Sequence, residues 1–390
     1  MKSIRFRPPA IEPTLELRWV LHRAFAKPEL PVAPPRDAAG ALDLARRLDL
    51  AARIGARALP GTLKAEIGPA AAEIARALHL SAANSLRYEI TLRQVAALAA
   101  SLEVPLVILK GSAIGLLGIS APGARSFSDL DILVPVDRLL ELRTALAGAG
   151  WTLSPLDGSE HQEAPLTHPA LGMIELHRCI PGVRPPGSRR SFDAVALLDA
   201  GLADQLPGFD GAVRTPARPV LVAHALEHGL VQHGYAPGSY PLFRLLADLQ
   251  DLGAGPKLLD EAGRFLRDVD ADDLGALASL LDALASGRVL DLAPGAARSL
   301  LDHLVAGALD PAYALGLKAN PRSLRSPSDL PLPLATLRWV YKAAVLSRAQ
   351  VDAIYGRPER WGGYAARQLL RPFDLALRFV RSRKARERTR

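Results

Sequence analysis

Ser128-Asp129-Leu130-Asp131-Ile132-Leu133-Val134 is the stretch whose reading decides the fold. Its apolar residues are β-prone, as a buried strand requires. A strand alternates faces with period two, so Asp129 and Asp131 point the same way. Two neighbouring carboxylates on a buried strand repel each other, and burial alone would protonate them. A divalent cation removes that conflict, and a hard ion such as Mg²⁺ takes carboxylate oxygens while leaving positions for phosphates. Upstream, Val107-Ile108-Leu109-Lys110-Gly111-Ser112 reads as a strand entering a Gly-Ser turn and then an apolar helix. Such a turn suits phosphate. Acids for a metal beside a phosphate-binding turn imply chemistry on a nucleoside triphosphate.

Working outward, Leu106 to Leu109 is a short apolar run bounded by Pro105 and Gly111, the first strand. Ser112 to Leu117 is expected as a short helix, Pro122-Gly123 as a turn and Asp129 to Val134 as the second strand. Pro135 opens a helix reaching Leu146, and Trp151 to Leu153 is a third strand. Met173-Ile174-Glu175-Leu176-His177 alternates as a strand with one wet face does, and Glu175 shares its face with Met173 and His177. If this strand lies beside the Asp strand, Glu175 completes a carboxylate triad with Asp129 and Asp131. Before the core, 14–26 and 37–59 read as helices and 61–102 as two more, with Asn84 and Ser85 offering an N-cap before Leu86. From about 190 onward the pattern is almost only helical: 218–232, 241–252, 257–268, 271–286, 295–308, 333–355 and 362–381. The fold class is therefore α+β, a small mixed-sheet core flanked by helical regions. The division is 1–104 helical, 105–190 α/β core, 191–355 a helical acceptor-side domain, and 356–390 a basic helix and tail.

Composition narrows the function. One cysteine, Cys179, excludes an intramolecular disulfide and a cysteine-based zinc cluster. With no signal-peptide pattern and no apolar run long enough for a membrane span, the expected location is the cytoplasm. Residues 356–390 carry ten Arg and one Lys against two Glu and one Asp, which accounts for the whole net charge of +8. The body is neutral overall, so a nucleic-acid partner is not expected, since such proteins spread basic charge over a working face. The basic end reads as a solvated terminus, with weak contact to acidic lipid headgroups or an acidic partner as the other reading. Arg357-Pro358-Glu359-Arg360-Trp361 and Arg371-Pro372-Phe373 mix Arg with aromatics, and an interfacial helix over Tyr364 to Val380 competes with plain packing.

Leu109-Lys110-Gly111-Ser112, Arg125, Asp129-Leu130-Asp131-Ile132-Leu133-Val134 and Ile174-Glu175-Leu176-His177 together resemble the nucleotidyltransferase fold of the DNA polymerase β type. More narrowly, the chain is similar to uncharacterised bacterial nucleotidyltransferase-family proteins with a Lys-Gly turn, an Arg before the Asp pair and a Glu-Leu-His strand. The resemblance implies phosphate contact by Gly111 and Ser112 and metal on Asp129, Asp131 and Glu175. It implies a transferase that uses Mg²⁺ or Mn²⁺, moves a nucleotide from an NTP such as ATP to a small-molecule or peptide acceptor, and releases pyrophosphate. Peptide natural-product biosynthesis is one setting. A same-fold transferase of another group, such as a sugar, onto a phosphorylated peptide is the alternative, and so is a non-catalytic nucleotide-binding module.

Several roles stay open at this point. Lys110 is a point charge suited to phosphate or a structural partner. Arg125 either touches substrate or positions the Asp pair. His177 is a general base, a hydrogen-bond donor to a ligand, or a core histidine. His224 and His228 share a helix face with zinc-compatible spacing, but without the Glu beside the first His that a zinc protease needs, they read as packing or acceptor-pocket residues. Asp248 is expected to pair with Arg244 one turn away.

Overall fold

The computed structural model describes residues 11, 14–154, 161–209, 211, 213–232, 241–267, 269 and 271–310. The expected helices at 333–355 and 362–381, the basic tail and its Arg-aromatic motifs lie outside these residues.

The centre is one mixed sheet. Its strands are β1 (Leu106–Ile108), β2 (Leu130–Leu133), β3 (Thr152–Leu153), β4 (Leu166–His168), β5 (Gly172–His177), β6 (Ala203–Gln205) and β7 (Val213–Pro216), in the spatial order β3-β4-β5-β2-β1-β7-β6. β1 runs antiparallel to β2 and parallel to β7, while β2 and β5 are parallel with Asp131 opposite Glu175 and Leu133 opposite His177. Every residue of β1 and β2 is buried, which is why their sequences run apolar instead of alternating. The expectation of almost only helices beyond about 190 is corrected by β6 and β7, which join the sheet through β1. These are strands of three and four residues, one ending in Pro216, too short and too polar to show alternation.

The helices are α1 (Leu15–Phe25), α2 (Ala38–Arg47), α3 (Ala51–Arg57), α4 (Thr62–Ile67), α5 (Ala71–Ser101), α6 (Lys110–Leu116), α7 (Leu139–Gly148), α8 (Ala194–Asp199), α9 (Arg218–Leu226), α10 (Leu242–Asp251), α11 (Pro256–Gly263), α12 (Ala271–Ala285) and α13 (Ala296–Leu309). The stretch read as one helix over 37–59 breaks between α2 and α3 because Asp49 turns the backbone left-handed, with φ 58°. The expected N-cap at Asn84 and Ser85 is a correction. Both residues lie inside α5, which runs unbroken for 31 residues. Ser85 Oγ donates back to the Ser81 carbonyl, and Asn84 Nδ2 donates to the Phe127 carbonyl.

That side-chain bond belongs to a seam. Tyr88 of α5 donates its hydroxyl to the Ser128 carbonyl, and Thr91 Oγ1 donates to the Leu171 carbonyl at 2.9 Å. α5 thereby fixes the approach to β2 and the approach to β5 together. The helices before and after the sheet are also joined. Arg53 of α3, 3 % exposed, reaches Asp251 Oδ2 and Gln250 Oε1 of α10, each at 2.7 Å. Among the described residues no helix is long and apolar enough to cross a membrane.

Candidate active site

β1, β2 and β5 deliver the site. The Leu109 N–H bonds the Asp131 carbonyl at 2.9 Å, carrying the β1–β2 ladder up to the turn. Lys110 then takes a left-handed backbone with φ 50°, an uncommon conformation for a side-chain-bearing residue. Its ammonium lies 2.7 Å from Asp131 Oδ1 and 3.9 Å from Glu175 Oε2. His177 addresses the same two oxygens from β5, with Nε2 2.8 Å from Asp131 Oδ1 and 3.8 Å from Glu175 Oε2. Ligand-type atoms of Asp131, Glu175 and His177 all lie within 4.8 Å of one another. Asp131 is 2 % exposed and His177 fully buried.

The electrostatics follow from burial and from this arrangement. Burial favours a neutral Asp131, but Lys110 and the hydrogen bond from His177 outweigh it and hold the carboxyl well below the usual range. Glu175 is pushed up to about 7, by burial first and then by the charge on Asp131. Asp129, the residue before β2, is pushed up to about 6 by burial and by Asp131, against the pull of Lys110, Arg125 and Arg244. Burial, then Lys110, lowers the pKa of His177, so the neutral ring donates Nε2–H to the ionised Asp131. Burial also disfavours charge on Lys110, yet Asp131 and Glu175 raise its pKa above the ordinary value.

The Lys110-Gly111-Ser112 turn lies beside the acids, as the sequence implies, but its side chains are engaged. Ser112, 1 % exposed, donates its hydroxyl to the Leu109 carbonyl at 2.7 Å. The Ser112 hydroxyl is therefore spent within the turn itself. Gly111 is required by a neighbour: a Cβ there would lie 2.8 Å from Arg125 Cζ.

Arg125 is fixed by α10. Its Nε and Nη2 donate to Asp248 Oδ1 and Oδ2 at 2.6 and 3.1 Å, and both residues are buried. The expected Asp248–Arg244 pair is thereby corrected: Arg244 Nε instead donates to Asp49 Oδ2 at 2.6 Å. The i, i+4 spacing was a true local signal, but burial favoured the planar fork of Arg125, which arrives from 123 residues away. Burial outweighs Arg125 and leaves the Asp248 pKa above its ordinary value.

His224 and His228 approach edge to face, ring centres 6.4 Å apart. His224 is fully buried, and burial followed by the charge of Lys110 drives its pKa well below the usual value. It lies near enough to Lys110, His177 and Asp131 to feel their charges. Among the described residues the grouping suited to a metal is that of Asp131, Glu175 and His177, not this helix. Sequence reasoning missed His161, whose ring stacks on His177 at 5.9 Å; it carries no motif or spacing that would single it out.

No curated protein matches the chain. Two solved structures are similar to it: a crystal structure of ANT(2")-Ia in complex with adenylyl-2"-tobramycin, at 16 % identity and TM-score 0.33, covering 45 % of this chain and 95 % of that one; and a solution structure of the antibiotic-resistance factor ANT(2'')-Ia, at 15 % identity and TM-score 0.30, covering 45 % and 88 %. Residues 34–302 match the model of the family described as "Uncharacterised nucleotidyltransferase", which spans the sheet, the acid cluster and the Arg125–Asp248 clamp, and the chain belongs to that family of enzymes.

Proposed function

We propose that this nucleotidyltransferase depends on Mg²⁺ or Mn²⁺ and moves a nucleotide from an NTP to a small-molecule or peptide acceptor, releasing pyrophosphate. One observation carries the reading: Asp131 and Glu175 stand opposite each other in the β2–β5 register, with a ligand atom of each, and of His177, within 4.8 Å. The residues fit a divalent ion. The donors of Asp129, Asp131 and Glu175 are carboxylate oxygens, and burial first, then the charge on Asp131, raises Asp129 to about 6 and Glu175 to about 7. Asp129, Asp131 and Glu175 are the residues that would hold it. When bound, the ion supplies charge neutralisation at the triphosphate and acidifies the attacking oxygen.

The chain's own groups divide the remaining work. Glu175, with His177 on the same strand face, is the carboxylate assigned to take the acceptor's proton. The acceptor oxygen then bonds to the α-phosphorus, and the bond to the β-phosphate bridging oxygen breaks. The Lys110-Gly111-Ser112 turn receives the departing phosphates. His177 holds Asp131 ionised and oriented through Nε2. The buried site makes these charges count for more than they would in water. The near-neutral body outside residues 356–390 favours a small molecule or peptide over a nucleic acid as acceptor, and a peptide natural product is one candidate.

The test is to incubate the full chain with each NTP and Mg²⁺, with and without cell extract, following pyrophosphate and acceptor mass. The expected result is pyrophosphate release with a nucleotidyl mass increment on one acceptor, abolished by Asp129→Ala/Asp131→Ala. Metal-dependent NTP binding without any release would show a binding module, and activity surviving the double substitution would discard the metal assignment.

A further inference from the structure

The structure assigns Lys110 a further role: it is the internal counter-ion of the carboxylate site, holding the place of the divalent cation and yielding that place when ion and nucleotide arrive. This rests on the metal reading above and names the residue that competes with it.

The geometry is specific. Lys110 Nζ and His177 Nε2 converge on one oxygen, Asp131 Oδ1, at 2.7 and 2.8 Å, and both stand 3.8–3.9 Å from Glu175 Oε2. A divalent cation held by Asp131 and Glu175 would compete with the ammonium for the same pair of carboxylates. The Lys110 ammonium stands 2.7 Å from Asp131 Oδ1 and 3.9 Å from Glu175 Oε2. One ammonium faces Asp131 directly and Glu175 at a longer distance, with Asp129 close enough to feel its charge. Asp131 and Glu175 thus set two carboxyls against one ammonium.

The backbone supports the assignment. A lysine serving only to close a salt bridge has no need of a left-handed φ of 50°, a conformation uncommon for a residue with a side chain. Here it turns the side chain back over the end of β1 and into the acids. Lysine also suits an exchange. Its charge is compact and carried on a flexible stem, unlike the planar guanidinium of Arg125, which Asp248 grips at two points. Once displaced, the ammonium remains tethered next to Gly111 and Ser112, where the proposed function puts the β- and γ-phosphates. It therefore offsets acid charge before substrate arrives and phosphate charge afterwards.

The experiment is a Mn²⁺ titration of the full chain, without nucleotide, following free Mn²⁺ by electron paramagnetic resonance. Wild type is compared with Lys110→Met, Lys110→Gln and Asp131→Asn. Removing the competing charge is expected to tighten Mn²⁺ binding by about tenfold or more in both Lys110 variants. Asp131→Asn is expected to abolish the binding. Mg²⁺ is expected to raise the melting temperature of Lys110→Met more than that of wild type, since the ion stabilises the state that binds it. If Lys110→Met does not fold without metal, Lys110→Gln decides. Mn²⁺ affinity equal to or weaker than wild type in a folded Lys110 variant overturns the inference while leaving the metal reading intact. Absence of Mn²⁺ binding in wild type and in both Lys110 variants overturns the metal reading, and this inference with it.

Discussion

Two buried charge clusters lie on either side of Gly111, and they are built on opposite principles. Arg125 and Asp248 form a closed pair: one cation, one anion, two aligned hydrogen bonds and burial for both. The β1–β2–β5 cluster is open. Asp131 and Glu175 face one lysine, Asp129 feels Lys110, Arg125 and Arg244, and burial with the charge of Asp131 still pushes Asp129 and Glu175 up to about 6 and about 7. A balanced pair satisfies itself and fixes geometry. An unbalanced cluster stores an electrostatic conflict that a ligand resolves, which is the pattern expected of a functional site. The closed pair serves the open cluster, because the guanidinium that Asp248 holds also walls the Gly111 turn.

If that contrast is right, the open cluster fails in chemistry and the closed one in architecture. The largest effect belongs to Asp131→Ala. It is expected to abolish nucleotidyl transfer and to strip Lys110 and His177 of their shared partner, at a stability cost of about 3 kcal/mol. Pyrophosphate release and urea unfolding measure the two effects. Asp248→Ala is next. It leaves the Arg125 guanidinium buried without its counter-charge, and unfolding is expected to shift by about 3 kcal/mol, while Mn²⁺ affinity in the surviving folded fraction changes little. A large loss of Mn²⁺ affinity in that variant would erase the distinction between the clusters. Gly111→Ala presses a methyl into Arg125 and is expected to cost about 1–3 kcal/mol. Melting curves would reveal it, with Gly118→Ala, which has no neighbour within 4 Å but a φ of +66°, as a strained but uncrowded control.

The open cluster should also show itself in pH dependence. Glu175 and Asp129 have folded-state pKa values raised to about 7 and about 6 from 4.5 and 3.8. The folded metal-free chain therefore holds protons that the unfolded chain has released between about pH 4.5 and 7. These two groups favour folding at the acid end of that window and disfavour it as pH rises through it. Asp131, with its pKa lowered, works the other way: its contribution is present above the ordinary carboxylate range and is lost as pH falls below it. Melting temperatures in chelator across this window should fall more steeply for wild type than for Glu175→Gln, a difference on the order of 2 kcal/mol. Identical slopes would mean that Glu175 carries no stored conflict.

The chemistry of this molecule was more legible in its sequence than its wiring was. β1 and β2 announce themselves because strands buried on both faces need unbroken apolar runs, β5 shows the alternation of a strand with one wet face, and the period-two rule puts Glu175 and His177 on one face. Their pairing with Asp131 needed only adjacency of two strands. What escaped was whatever depends on distance in sequence. Asp248 has a plausible partner at i−4, and nothing local says that Arg125 will reach it first. Asn84 looks like a cap and is instead the donor that binds α5 to Phe127. The direction of Lys110 is set by one backbone angle, which no residue pattern encodes. β6 and β7 are strands only because β1 offers β7 an edge to pair with.

The smallest effect tests the same contrast at the surface. Arg244 and Asp49 also make a 2.6 Å charged hydrogen bond, but their side chains are 24 % and 34 % exposed. Water already solvates both partners, so the pair gives up little desolvation cost and gains little in return. Arg244→Ala is expected to cost under about 1 kcal/mol in urea unfolding. Arg244 also pulls down the Asp129 pKa, so its removal should move that carboxyl slightly further above about 6. Mn²⁺ binding would then shift by a small fraction of a pH unit toward higher pH. A stability loss as large as that of Asp248→Ala would show that bond length, and not burial or balance, sets the worth of a charged pair in this chain.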